Sequence, residues 1–162
     1  MYLPGELSHQ ENPEMDQRIN TRLTILVAED DEDNRFTLKL LLEMRGYHVL
    51  TVANGYEAIA VAEREQPDVI LMDLRMPLLN GLAATRQLRQ HVSPRLRRIP
   101  ILALSAYDPA QHRAVAIAAG CNDYVTKPID YDRLEKLIET LLYARTASTI
   151  PDNPMMDENL YL

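Results

Sequence analysis

Asp68–Gly81, read DVILMDLRMPLLNG, is the stretch that decides the fold. Its apolar run Val69-Ile70-Leu71-Met72 stops on one carboxylate, Asp73, and a Met76-Pro77 turn follows. A short apolar run bounded by turn chemistry reads as a strand buried on both faces. Asp73 then stands where that strand leaves its sheet, the place where open α/β sheets bind ligands.

The same grammar repeats on either side. Upstream, Leu23–Ala28 is a β-rich run that ends on five consecutive carboxylates, Glu29–Asp33. A helix follows with Phe36, Leu40 and Met44 as its apolar stripe and Gly46 as its stop. Tyr47–Val52 is the next strand, and Asn54-Gly55 turns the chain into a helix over Tyr56–Glu65 that ends before Pro67.

Downstream, a helix follows Asn80-Gly81, and Ser93–Arg98 reads as a basic, irregular loop. Pro100–Ser105 is a fourth buried strand. Asp108 as cap and Pro109 at the first helical position begin an alanine-rich helix that ends at Gly120. Asp123–Pro128 is a short fifth strand, and Leu134, Leu137, Ile138, Leu141 and Leu142 mark the core stripe of a last helix. Five strands alternating with five helices predict an α/β, doubly wound (βα)5 fold with a parallel sheet.

The 162 residues suit one domain with a real core, and 46% hydrophobic and 25% charged residues are globular proportions. Residues 1–22 and 147–162 lack periodicity and are expected to be flexible extensions around a domain at 23–146. The net charge of −7 sits mostly in those ends, which hold −5 and leave −2 for residues 23–146. Such a balance gives no electrostatic reason to bind nucleic acid. The first residues lack the basic and apolar regions of a signal peptide. No apolar run approaches the roughly 18 residues needed to span a bilayer, so no membrane partner is expected. The single cysteine, Cys121, excludes an internal disulfide and suits a reducing compartment. A cytoplasmic location is the expectation.

Parallel strands put all their carboxyl ends on one edge. There the sequence delivers Glu29 and Asp30, Asp73, Ser105 and Lys127. Carboxylates brought together repel unless they share a cation or proton. Hard oxygen ligands suit Mg²⁺, which binds through one or two carboxylates plus a phosphate. A lysine and a hydroxyl add a point charge and a donor for that phosphate. The set reads as Mg²⁺-assisted phosphoryl transfer to a carboxylate.

Four motifs, ILVAEDDEDNR (Ile25–Arg35), DVILMDLRMPLLNG, PILALSAY (Pro100–Tyr107) and DYVTKPI (Asp123–Ile129), resemble in order and spacing the receiver domain of two-component response regulators. The resemblance covers residues 23–146 and is of the stand-alone, chemotaxis-regulator-like type. It implies a flavodoxin-like sheet with strand order 2-1-3-4-5 and a signalling switch rather than a turnover enzyme. It implies Asp73 as phospho-acceptor; Glu29, Asp30, Asp73 and the backbone carbonyl of Arg75 as Mg²⁺ ligands; and Ser105 and Lys127 as partners of the phosphoryl group. Tyr124 matches the switch aromatic, expected to pass from exposed to buried, and Lys127-Pro128 matches a bond usually cis in the family. Implied partners are a sensor histidine kinase or histidine phosphotransfer protein, a downstream protein target, and a dimer formed on phosphorylation. No DNA-binding output domain is expected, because the residues after Ala147 are few. Glu29 departs from the commoner Asp, Ser105 from the usual Thr, and the Arg95–Arg98 loop is slightly long.

Two rival readings remain beside this one. A phosphatase using an aspartyl phosphate would need a second acid where Arg75 stands. A degenerate receiver serving as a scaffold is disfavoured by intact Asp30, Asp73 and Lys127. Asp31, Glu32 and Asp33 are explained by the positive end of the helix dipole alone. Arg95, Arg97 and Arg98 read first as a solvated loop, Cys121 as small filler, and the four histidines as no metal set. The closing MMDENLYL mixes apolar and acidic residues and reads as a frayed tail before a docking motif.

Overall fold

A computed structural model describes residues 22–147, with the side chains of Thr146 and Ala147 excepted. The expected extensions therefore lie outside the described residues, apart from their inner ends, Arg22 and Ala147. The strands are β1 (Thr24–Ala28), β2 (His48–Val52), β3 (Val69–Asp73), β4 (Ile101–Ser105) and β5 (Asp123–Thr126). The helices are α1 (Glu32–Met44), α2 (Gly55–Glu65), α3 (Gly81–Arg89), α4 (Pro94–Arg97), α5 (Pro109–Ala119) and α6 (Tyr131–Ala147). All strand pairs are parallel, in the order β2-β1-β3-β4-β5. The flavodoxin-like topology is thus as expected.

Every residue of β3 and β4 is buried, which is why neither shows alternation in sequence. The two-residue strand period nevertheless sorts them between two cores. Leu26, Ile70, Met72, Ile101 and Ala103 pack with Ala58 and Ala62 of α2, Ala84 and Leu88 of α3, and Ala116 of α5. Ile25, Val27, Val69, Leu71, Leu102 and Leu104 pack with Leu38 and Leu42 of α1 and Leu134 and Ile138 of α6. Small alanines let α2, α3 and α5 lie close to the sheet.

Caps set the helix ends. Asp31, Asn54, Asn80 and Asp108 each accept a backbone N–H of the first turn through their side chains. Gly46, at φ +94°, completes a Schellman stop to α1: its N–H reaches Glu43 O and that of Tyr47 reaches Leu42 O.

Two expectations are corrected. The stripe Phe36, Leu40, Met44 faces solvent, with 65%, 46% and 74% exposure, while Leu38 and Leu42 face the sheet. Helix α1 carries two apolar stripes on opposite sides, and periodicity alone could not choose between them. The Ser93–Arg98 segment contains a short helix, α4, because Pro94 presets its first residue and Leu96, only 3% exposed, anchors it in the core. Its dense arginines concealed that anchor.

Gly81 is demanded by close approach. A Cβ there would lie 2.0 Å from the carbonyl oxygen of Asp73. Gly81→Ala is expected to push α3 off the end of β3 and cost about 1–3 kcal/mol, the usual scale for overpacking. Urea unfolding of the variant checks this through a lower midpoint at unchanged slope.

Candidate functional site

The carboxyl ends of the strands open into a cleft of about 750 Å³ lined by Glu29, Asp30, Asp73, Arg75, Ser105 and Lys127, among others. Every residue that the sequence assigned to the site except Tyr124 lines it. Glu29 and Asp73 follow β1 and end β3, the neighbouring strands between which the strand order reverses. Glu29 is held by its N–H to Val52 O, 3.1 Å away, and by the Arg35 guanidinium, which donates to Glu29 O at 2.7 Å and to Asp30 O at 3.1 Å. Asp73 is fixed from both sides: Arg75 N–H donates to its Oδ1 at 2.8 Å, and Gly81 presses on its carbonyl.

One oxygen from each of Glu29, Asp30 and Asp73 lies within 4.8 Å of the others. Among the described residues this is the only such cluster of potential metal ligands. Glu29 and Asp73 are buried and Asp30 is exposed, so the cluster opens to solvent on one side. Lys127 reaches into it, its Nζ donating to Glu29 Oε2 at 2.5 Å and Asp73 Oδ2 at 2.7 Å. A three-carboxylate oxygen set open to water suits a hard divalent cation, and Mg²⁺ fits it. Arg75 lines the same cleft.

Burial pushes the Glu29 carboxyl up from 4.5 to about 7, against the opposing hydrogen bond from Lys127 and helped by neighbouring Asp73. Burial pulls Lys127 down, but its hydrogen bonds and charge contacts with Asp73 and Glu29 outweigh this and hold it above its ordinary value. Three carboxylates thus share one lysine, in a pocket whose burial favours the neutral form of Glu29.

Ser105, 2% exposed, ends β4 and accepts the Tyr107 N–H through Oγ at 3.2 Å. Tyr124 is 3% exposed, and its hydroxyl donates to Tyr107 O at 2.9 Å. Lys127-Pro128 is cis, as the resemblance implied.

Tyr107 and His112 are site residues that sequence reading missed. The Arg75 guanidinium donates to the Tyr107 hydroxyl at 3.1 Å, and Tyr107 stacks on His112 with ring centroids 4.5 Å apart. Both rings line the cleft. Tyr107 closes the quoted motif PILALSAY, but nothing in its spacing announces a contact with Arg75 of another loop.

The receiver-domain profile of response regulators matches residues 25–139. Protein PilH of Pseudomonas aeruginosa is 37% identical over 118 residues, 73% of this chain and 96% of that protein. The receiver domain of the sensor histidine kinase PA1611 of Pseudomonas aeruginosa, solved with a magnesium ion coordinated in its active-site cleft, is 37% identical. The match covers 75% of this chain and 98% of that one, with a TM-score of 0.69. Chemotaxis response regulator CheY4 of Vibrio cholerae is 28% identical, with a TM-score of 0.68 over 75% of this chain and 98% of its own.

The raised Glu29 pKa sets a pH dependence. Between pH 4.5 and about 7 the folded protein keeps a proton that the unfolded chain has released. Stability of the metal-free protein therefore falls as pH climbs through that window. At about 1.4 kcal/mol per unit, the ceiling is about 3 kcal/mol. Thermal unfolding without divalent ions is expected to show a lower midpoint near pH 8 than near pH 5, and Glu29→Gln to flatten the difference.

Proposed function

The chain belongs to the response regulator receiver family, and from that premise we propose that Asp73 accepts a phosphoryl group from a phosphohistidine. The observation that carries this reading is the triad in which Lys127 Nζ bridges Glu29 and Asp73 beside Asp30. An Asp73 oxygen attacks phosphorus, the P–N bond breaks, and the donor imidazole leaves with the bonding pair. Lys127 pairs with the transferred phosphoryl group, and Ser105 donates its hydroxyl to it. Glu29, Asp30, Asp73 and the Arg75 carbonyl would hold Mg²⁺, whose charge offsets that of the carboxylates and of the incoming oxygens. Arg35 and Gly81 act earlier, by fixing the two strand ends between which the acids meet.

The outcome we propose is a switch in protein–protein contacts, with no substrate turned over. Ser105, drawn toward the phosphoryl group, shifts the hydrogen bond it accepts from Tyr107, and Tyr107 is tied in turn to Tyr124 and Arg75. Three elements at the β4–α5 edge thus move together, which gives phosphorylation a surface to change. A downstream protein partner reads that surface.

The phosphodonor is a sensor histidine kinase or histidine phosphotransfer protein. The exposed stripe Phe36, Leu40, Met44 supports a protein donor. It runs along α1 from the lip of the cleft, which Asp31 and Asn34 line. A donor bringing its histidine to Asp73 passes over that helix and covers the stripe.

Mg²⁺ with beryllofluoride, a phosphoryl mimic, is expected to raise the melting temperature. Ligand at about a hundred times its Kd adds about 2.7 kcal/mol. Asp73→Ala is expected to abolish the gain, and an unchanged gain would remove Asp73 from the role. Phe36→Ala is expected to slow transfer from a phosphohistidine protein roughly tenfold, as loss of an interface anchor worth about 1.4 kcal/mol does. Phosphorylation by acetyl phosphate, which needs no docking, is expected to be unchanged by it.

A further inference from the structure

At the edge opposite the cleft, the backbone draws together four points. Asp68, just before β3, accepts the Thr24 N–H through Oδ2 at 2.9 Å. Its Oδ1 and carbonyl oxygen both accept from Arg145, at 3.2 and 3.1 Å. Two residues away, Gln66 O accepts from Arg95 at 2.8 Å. The start of β1, the end of α6 and the arginines of α4 therefore meet at one knot.

Among the described residues, no carboxylate pairs with those arginines. Arg97 donates to His91 O and Val92 O at 2.9 and 3.1 Å, and Arg89 donates to Gly120 O, Arg97 O and Asn122 Oδ1. Every one of these acceptors is neutral. Carbonyls at the end of α3 supply at most about half an elementary charge, too little for a group of cations. Of the nearby carboxylates, Asp68 pairs with Arg145 and Asp123 with Arg113, while Glu63 is hydrogen-bonded to the His91 ring. Among the described residues Arg89, Arg95, Arg97 and Arg98 have no ionic partner, and Arg98 makes no side-chain hydrogen bond.

The sequence beyond α6 supplies the complement. Residues 148–162 hold Asp152, Asp157 and Glu158 and no base, together with the apolar Met155 and Met156. Val92, 86% exposed, stands among the arginines. From Ala147, Asp157 has a reach of roughly 35 Å at about 3.5 Å per residue. Only two side chains and two backbone residues separate Arg145 from Arg95, so the span is well within that reach. Residues 1–21 carry the same net charge of −3, four acids against Arg18, but spread it over 21 residues rather than 15.

We propose that the acidic segment 148–162 docks within its own chain on the arginine surface of α4, with Asp157 and Glu158 facing Arg95–Arg98 and the methionines covering Val92. The proposal is independent of the phosphoryl-transfer reading. It makes this edge a docking site for acidic, apolar-flanked peptide, occupied by the chain itself. Screening over about 10 Å at 0.1 M salt makes the contact salt-sensitive. Tethering supplies an effective concentration on the millimolar scale.

The test is a nitroxide on Asn159→Cys in the full chain, Cys121 being buried, read by paramagnetic broadening of backbone amides. At low salt the Arg95–Ile99 amides are expected to lose about half their intensity or more, with recovery at about 1 M salt where screening shortens to about 3 Å. Arg98→Glu is expected to restore the signals, as is the Asp157→Asn, Glu158→Gln pair, which leaves residues 22–147 unchanged in sequence. Free peptide 148–162 is expected to compete only at roughly millimolar concentration. Absent broadening, or broadening that ignores salt and both sets of substitutions, would overturn the proposal. Broadening seen only between labelled and isotope-labelled molecules in a mixture would overturn it in favour of a second copy. The same broadening from a nitroxide on Ser8→Cys, without that from Asn159→Cys, would overturn it in favour of residues 1–21.

Discussion

Crowded negative charge at one rim of the sheet is the constraint around which the molecule is arranged. Glu29 and Asp73 are almost fully buried and face each other across the point where the strand order reverses. Such a pair persists only with a cation or a proton shared between its members. Lys127 supplies one, reaching both acids from the end of β5. Three carboxylates share this single ammonium, and burial is the main reason the Glu29 carboxyl is held above its usual range. An oxygen-rich cluster of this kind, open to water on one side, suits a hard divalent cation.

The rest of the fold can be seen as the means of holding that tension in place. Parallel pairing aligns the strand ends, and burial of β3 and β4 on both faces removes their freedom to slide. Gly81 lets α3 close against the Asp73 carbonyl, and Arg35 ties α1 to the end of β1. At the other end, Asp68 gathers β1, β3 and α6 into one knot. The chemistry is concentrated at one edge, and the cross-bracing at the other leaves arginines without counter-charges.

Some of this was legible in advance and some was not. The acids, Ser105 and Lys127 stand at the ends of runs whose composition marks them as strands, so topology alone brings them together. On α1, Phe36-Leu40-Met44 and Leu38-Leu42 are equally good helical stripes, and only docking on the sheet chooses between them. Leu96 was hidden because a single buried leucine among arginines has no period. The link from Arg75 through Tyr107 to His112 joins two loops, and loop-to-loop contacts leave no trace in local spacing.

The amino-acid order by itself determined the number and direction of the strands, the caps, and which side chains reach the carboxyl edge. It could do so because burial pattern and turn chemistry are local properties, and right-handed crossovers leave parallel strands one arrangement of ends. Only the tertiary structure decided that Lys127 spans both acids, that Tyr124 lies buried against Tyr107, and which flank of α1 meets water. Those outcomes turn on distances between residues far apart in the chain, fixed when two cores pack on opposite faces of one sheet.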